Sequence, residues 1–471
     1  MQYQAEQYQK ELETLNQTIW DASEGLYQEK ISAKALTDCL KQHGFRVECG
    51  VGCLPTAFQA VYGTEGPSIG FLAEYDALDG LSQKAGLFHQ ECRPETTFGH
   101  GCGHNLLGTA VIGAAILAKD YLQEKHCPGK IVVYGCPAEE GGSGKTYMAR
   151  AGAFEDIDAA LTWHPCTINS SMGCRTLANI QAVFRFTGKA SHAAIAPEAG
   201  RSALDAVELM DVGCNFLREH MDMTDRIHYA IRDSGGSAPN VVQSYAEVLY
   251  LIRSERNESA KELFDRVVDV AKGAALMTET EMEMQIESAV SDTIPNEVLG
   301  KLAYEVMVQL QPPVYNEVER EYIRHWHELV GENAVLNDDG AVPHYDMNLR
   351  RNLIAEHPMA DFVLPYKLVQ QVQQGSSDMG DVSQKVPLIQ IQTACFAQGT
   401  PPHSWMWVTQ GTSAFAVKGM LYAAQVMADI AQRLIESREL MEQVKSEFCR
   451  RKGNRQYICP IPKEVSPNLE E

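Results

Sequence analysis

The chain has 471 residues, too many for one ordinary hydrophobic core, and its 45% hydrophobic and 22% charged residues are the balance of a globular protein of about two domains. A net charge of −22 excludes nucleic acid and an anionic membrane surface as partners, because both need a basic face. The same charge means that a substrate bearing a carboxylate needs local basic residues in its pocket.

The opening segment MQYQAEQYQKELETLNQTIW reads as an amphipathic helix, not as a basic segment followed by an apolar leader. No run of about 18 apolar residues is evident that could span a bilayer. The thirteen cysteines are scattered, a pattern expected of reduced thiols in the cytoplasm.

In chain order, helices are expected over 5–21 and 26–43, a buried strand over 69–78, an apolar helix over 106–122, and strands over 130–135 and 159–164. Short apolar runs between helices predict an α/β domain with a mainly parallel sheet covered on both faces. The middle reads differently: a strand alternating from Ile180 to Phe186, a helix over 201–218, strands over 226–231 and 240–253, a helix over 257–274 and a strand over 281–288. That order predicts a small α+β sandwich inserted over 178–293. Helices over 295–311 and 316–330, an irregular stretch over 332–380, a strand over 386–394 and a helix over 411–436 complete the first domain, which is split between 1–177 and 294–471.

The segment FGHGCGHNLLGTA (98–110) places His100, Cys102 and His104 at alternate positions between glycines. Glycine costs about 1 kcal/mol in a helix interior, so the segment is a loop in which Cys102 and His104 project to one side before a helix starting near Asn105. Thiolate and imidazole together are typical ligands of zinc and related divalent ions. Taken alone, the same residues suit a glycine-rich helix entry whose side chains merely pack.

GCPAEEGGSGK (135–145) follows an apolar strand and offers Glu139 and Glu140. Adjacent carboxylates in a loop point apart, so one can bind metal while its neighbour serves as general base. By itself the pair reads equally as a solvated acidic turn. His164 follows another apolar run, where Pro165 is expected to stop a central strand, and His403 lies beyond the strand over 386–394. Each histidine alone reads as an ordinary surface or core residue. Strand ends that together offer Cys, His, Glu, His and His supply enough ligands for two metal ions. His192 in KASHAAIAP, Asn240 and Arg253 fall in the insertion, where Arg253 suits bidentate recognition of a carboxylate.

The segments EYDALDGLSQKAG, GHGCGHNLLGTA, YGCPAEEGGSGKT, DAALTWHP, RTLANIQA, GRSALDAVELM, PNVVQ, AEVLYLIR, GAALMTET and FAVKGML, in this order, resemble the M20 metallopeptidases. The resembling branch is that of the aminoacyl-amide hydrolases, which includes p-aminobenzoyl-glutamate hydrolases and auxin-conjugate hydrolases. The resemblance implies a zinc-peptidase-like catalytic domain with an inserted lid or dimerisation domain. It implies two divalent ions (Mn2+ or Zn2+) on Cys102, His104, Glu140, His164 and His403, with Glu139 as general base. It also implies His192 reaching the substrate carbonyl across a dimer, and Asn240 and Arg253 holding a substrate carboxylate. The implied reaction is metal-assisted hydrolysis of an amide bond to an amino acid, p-aminobenzoyl-glutamate to p-aminobenzoate and glutamate. Dipeptides or N-acyl-amino acids are the alternative substrates, and the implied assembly is a homodimer or a heterodimer with a related subunit. The chain departs from the branch at Asn105, where many members carry Asp, at WDASE (20–24), and over 332–380.

Overall fold

The apolar runs assemble into a seven-stranded sheet in the order Arg46–Cys49, Phe58–Tyr62, Lys130–Gly135, Ser68–Ala73, Ala159–Cys166, Leu388–Ala394 and Ser170–Ser171. The computed structural model describes residues 4–336, 344–369 and 371–469. Ser68–Ala73 pairs in parallel with both Lys130–Gly135 and Ala159–Cys166, and the latter pairs in parallel with Leu388–Ala394. Antiparallel pairing is confined to the outer strands.

The central strands are apolar at nearly every position because both faces are covered. Ile69, Phe71, Ile131 and Val133 face a core shared with the helices Gln9–Ala22, His104–Lys125 and Ala414–Glu436. Leu72, Val132 and Tyr134 face a second core on the opposite side. His104–Lys125 is the one helix among the described residues with the length and apolarity to cross a membrane, and it is buried inside the fold. A Cβ at Gly113 would stand 2.9 Å from Leu12 and 3.2 Å from Ala424, so this glycine sets how closely three helices meet.

One expectation fails at Pro165. The strand does not stop there but runs Ala159–Cys166, with Pro165 opposite Thr393. The proline is tolerated because pairing with Ser68–Ala73 ends at Leu161, which leaves that side of the strand without a ladder.

The second sheet is antiparallel, in the order Glu281–Val290, Ala178–Thr187, Tyr245–Ser254 and Arg226–Asp233. The helices Ala203–Leu217 and Asn257–Thr278 pack on it through Ala206, Val207, Phe264 and Val267. Ala246, Val248, Tyr250 and Ile252 are buried at alternate positions, the period of a half-covered strand. This strand starts at Tyr245, not at 240. Val241 and Val242 instead pair with the loop before them, Val241 in an isolated bridge to His192 and Val242 through its N–H to Ser191. Asn240 therefore lies in a loop, behind Pro239 and the left-handed Gly235 and Gly236.

The stretch 332–380 contains the short helices Glu332–Leu336 and Met347–Glu356, and Met379–Ser383 opens within it; residues 337–343 and 370 lie outside the described residues.

Candidate metal centre and active site

Four parallel strands deliver the chemistry at one edge of the sheet. Ser68–Ala73 runs directly into Glu74 and Asp76, and Lys130–Gly135 into Glu139 and Glu140. His164 stands near the end of its own strand, and the loop after Leu388–Ala394 brings His403. The glycine-rich loop is anchored on both sides: Gly99 exchanges backbone hydrogen bonds with Leu78, and the Gly101 carbonyl accepts from the N–H of His403 at 3.0 Å. Gly103 has φ 78°, and a Cβ there would stand 2.6 Å from Pro165 and 3.0 Å from Phe396. Only glycine fits, and the helix then starts at His104.

Ligand atoms of Cys102, His104 and His164 lie within 4.8 Å of one another, and so do those of Cys102, Glu140 and His403. Cys102 is common to both trios. Asp76 organises them: one oxygen accepts from His104 Nδ1 at 2.9 Å, and the other accepts from the backbone N–H of Glu140 at 3.0 Å. His104 therefore turns Nε2 toward the cluster. His403 Nε2 stands 3.6 Å from Glu140 Oε2.

Several residues packed against the cluster carry no role in the sequence reading. Glu74 is fully buried, with Oε2 3.3 Å from His104 Nε2 and 3.4 Å from His164 Nε2. Its Oε1 is paired with Lys145 Nζ at 2.7 Å, and the same ammonium lies 2.6 Å from Asp378 Oδ1. Ser377 Oγ donates to Glu139 Oε1 at 2.7 Å. Their one signal in the sequence was position, since Glu74 and Asp76 are acids at a strand end in EYDAL. Nothing local marks Lys145, Ser377 or Asp378.

The electrostatics are lopsided. Glu74, Asp76, Glu139 and Asp378 crowd around one lysine, Lys145, and Glu140 adds its carboxylate beside Glu139. Burial, helped by Glu139, Asp76 and Glu74, pushes Glu140 up to about 8, and burial with the charge of Glu74 also raises Glu139. Burial and Glu140 push the Cys102 thiol up. Burial lowers His164 to about 4. Against its own burial, Asp76 is held below the usual carboxylate range by His104. Among the described residues, buried His104 Nε2, Glu140 Oε1 and Glu74 Oε2 have no hydrogen-bond partner. Unpaired lone pairs and surplus negative charge in one buried place fit divalent cations, which bind carboxylate, imidazole and thiolate and reverse these shifts.

The cluster opens into a cavity of about 450 Å³ lined by Cys102, Glu139, Glu140, His164, His403 and Trp407, with the segment 375–377 as one wall. Arg253 reaches that wall from the second sheet, donating to Ser376 Oγ at 2.9 Å. Arg253 itself, His192 and Asn240 do not line the cavity. His192 is exposed, its Nδ1 accepting from the N–H groups of Ala194 and Ile195.

Residues 178–278 match the Peptidase dimerisation domain of the M20 peptidases. Over 453 residues the chain is 44% identical to one component of the p-aminobenzoyl-glutamate hydrolase of Escherichia coli K12, covering 96% of this chain and 94% of that one. The chain belongs to the M20 family. It is accordingly a metal-dependent hydrolase of amide bonds, with the α/β fold and separate dimerisation domain of M20 enzymes. It is also 33% identical over 302 residues to the Xaa-Arg dipeptidase of Mus musculus, covering 61% of this chain and 65% of that one. Among solved structures it resembles the YXEP protein of Bacillus subtilis, a dinuclear metal binding peptidase of the M20 family. That likeness has a TM-score of 0.56 at 16% identity, covering 91% of this chain and 99% of the other.

Proposed function

We propose that the chain hydrolyses the amide bond between an aromatic acyl group and glutamate, p-aminobenzoyl-glutamate being the first substrate to test. The observation that carries the reading is the pair of ligand trios sharing Cys102 beside Glu139 at the floor of an open cavity. The Escherichia coli relative supports the choice of substrate. Cys102, His104 and His164 hold one ion, and Cys102, Glu140 and His403 the other; manganese and zinc both suit this donor set. Residues 178–293 form the inserted lid or dimerisation domain, and 1–177 with 294–471 the catalytic domain.

When bound, the two ions polarise the substrate carbonyl and acidify water. Glu139, held at Oε1 by Ser377, takes a proton from the attacking water on its other oxygen. Water oxygen bonds to the carbonyl carbon, the C–N bond breaks, and Glu139 passes the proton to the leaving amine. Arg253, bonded to Ser376 of the cavity wall, and Asn240 bind the substrate carboxylate. His192, exposed and away from the cavity of its own chain, serves the carbonyl oxygen of the second subunit in a homodimer or in a heterodimer with a related subunit. Thirteen free cysteines support a reducing compartment, the cytoplasm.

The test is a hydrolysis screen of the purified chain alone, loaded with manganese or zinc. It compares p-aminobenzoyl-glutamate with N-acyl-amino acids and with dipeptides, which the similarity to the Xaa-Arg dipeptidase makes the second reading. Release of p-aminobenzoate at the highest kcat/KM supports the proposal. Preference for a dipeptide replaces it, and no activity until a related subunit is added makes the chain a partner-dependent subunit.

A further inference from the structure

We propose that Glu74 is a further ligand of the ion held by Cys102, His104 and His164, with Lys145 and Asp378 as the frame that aims it. The inference rests on the reading of that trio as a metal site and adds a ligand to it.

A tetrahedral ion with bonds of about 2.0–2.2 Å has neighbouring ligand atoms about 3.3–3.6 Å apart. Glu74 Oε2 stands 3.3 Å from His104 Nε2 and 3.4 Å from His164 Nε2, which are edges of such a tetrahedron. A direct hydrogen bond between imidazole and carboxylate would close to about 2.7–2.9 Å. No such bond forms: His104 Nε2 and Glu74 Oε2 are both buried without a hydrogen-bond partner among the described residues. Asp76 lies 2.9 Å from His104 Nδ1, so the ring presents Nε2 to Glu74.

The surroundings fix Glu74 in this pose. It follows the buried strand Ser68–Ala73 and is itself fully buried, so it has no route to solvent. Lys145 holds Oε1 at 2.7 Å, which leaves Oε2 as the oxygen facing the two histidines. Asp378 fixes Lys145 twice, at Nζ (2.6 Å) and at the backbone N–H (2.8 Å). A ligating carboxylate whose other oxygen is tied down is the usual design of a metal site.

A crystal structure of the full chain loaded with zinc reads the bond directly. The expected result is zinc between Cys102, His104 and His164, with Glu74 Oε2 about 2.0–2.2 Å from it. Zinc there with Glu74 more than about 3 Å away overturns this inference and leaves the trio standing. Zinc absent from that place overturns both. In solution, zinc titrations against a competing chelator compare the parent with Glu74→Gln and Glu74→Asp. The aspartate keeps the charge opposite Lys145 but is one methylene short. Both variants are expected to bind one of the two ions at least about 10-fold more weakly, the other ion being retained. Parent-like affinity for both ions in either folded variant overturns the inference, and the crystal structure of the parent decides if neither variant folds.

Discussion

The hydroxyl of Ser377 donates to Glu139 across 2.7 Å, joining two loops 238 residues apart in the chain. One oxygen of the proposed base is thereby fixed while the other stays available. Removing the hydroxyl in Ser377→Ala should lower kcat about 10-fold or more, the value of a hydrogen bond to a charged group, with bound metal unchanged. Steady-state kinetics with metal analysis checks this; an unchanged kcat contradicts it.

Asp76 is bonded both to His104 Nδ1 and to the Glu140 backbone, so it orients a member of each trio. Asp76→Asn should weaken metal retention about 10–100-fold, the usual loss when such an outer partner is removed. Dialysis against graded chelator followed by elemental analysis measures the effect. Retention equal to the parent's would mean that the two contacts hold the loops and not the ligands.

The insertion carries its own pH signature. Asp211 is buried, accepts from the Tyr250 hydroxyl at 2.5 Å, and is pushed by burial up to about 6. An unfolded aspartate titrates near about 3.9, so between those values the folded state holds the extra proton. The stability contributed by neutral Asp211 is complete below about 3.9 and lost as pH rises through about 6. Asp211→Asn stays neutral and still accepts from Tyr250. Its melting temperature should gain on the parent's between about pH 4 and 6 and hold a constant lead above. A difference that does not vary with pH contradicts this.

Much of the centre was legible because its candidate residues sit at strand ends, where apolar runs stop and polar side chains begin. Cys102, His104, Glu140, His164 and His403, drawn from four separate segments, fall into two trios in the structure. Glu74, Lys145 and Asp378 were not legible. A buried charge is recognised by its partner, and Lys145 and Asp378 are 233 residues apart. The strand over 240–253 was read too long because Val241 and Val242 are apolar, yet they pair with a loop outside the sheet. Pro165 misled in the other direction, since a proline ends a strand only where its missing N–H is needed.

If His192 serves the neighbouring subunit, two inactive chains should rescue each other. Mixing His192→Ala with Glu139→Ala should restore part of the activity, because one site of each hybrid keeps both residues. No recovery, with subunit exchange verified by differently tagged chains, places His192 in its own chain or outside the reaction.

Glu139 and Glu140 divide the labour of the proposed reaction, neighbours of identical chemistry separated only by where the loop points them. Glu140 shares a trio with Cys102 and His403, whereas Glu139, grouped with Glu74 and His104, is held by Ser377 at the cavity. The deciding measurement is metal content together with turnover for Glu139→Gln and Glu140→Gln. Glu139→Gln should keep its metal and lose about 10²–10⁴-fold in kcat, the contribution of a positioned proton-transfer group. Glu140→Gln should lose metal as well as rate. Metal lost from Glu139→Gln and kept in Glu140→Gln would contradict the assignment and reverse the two roles.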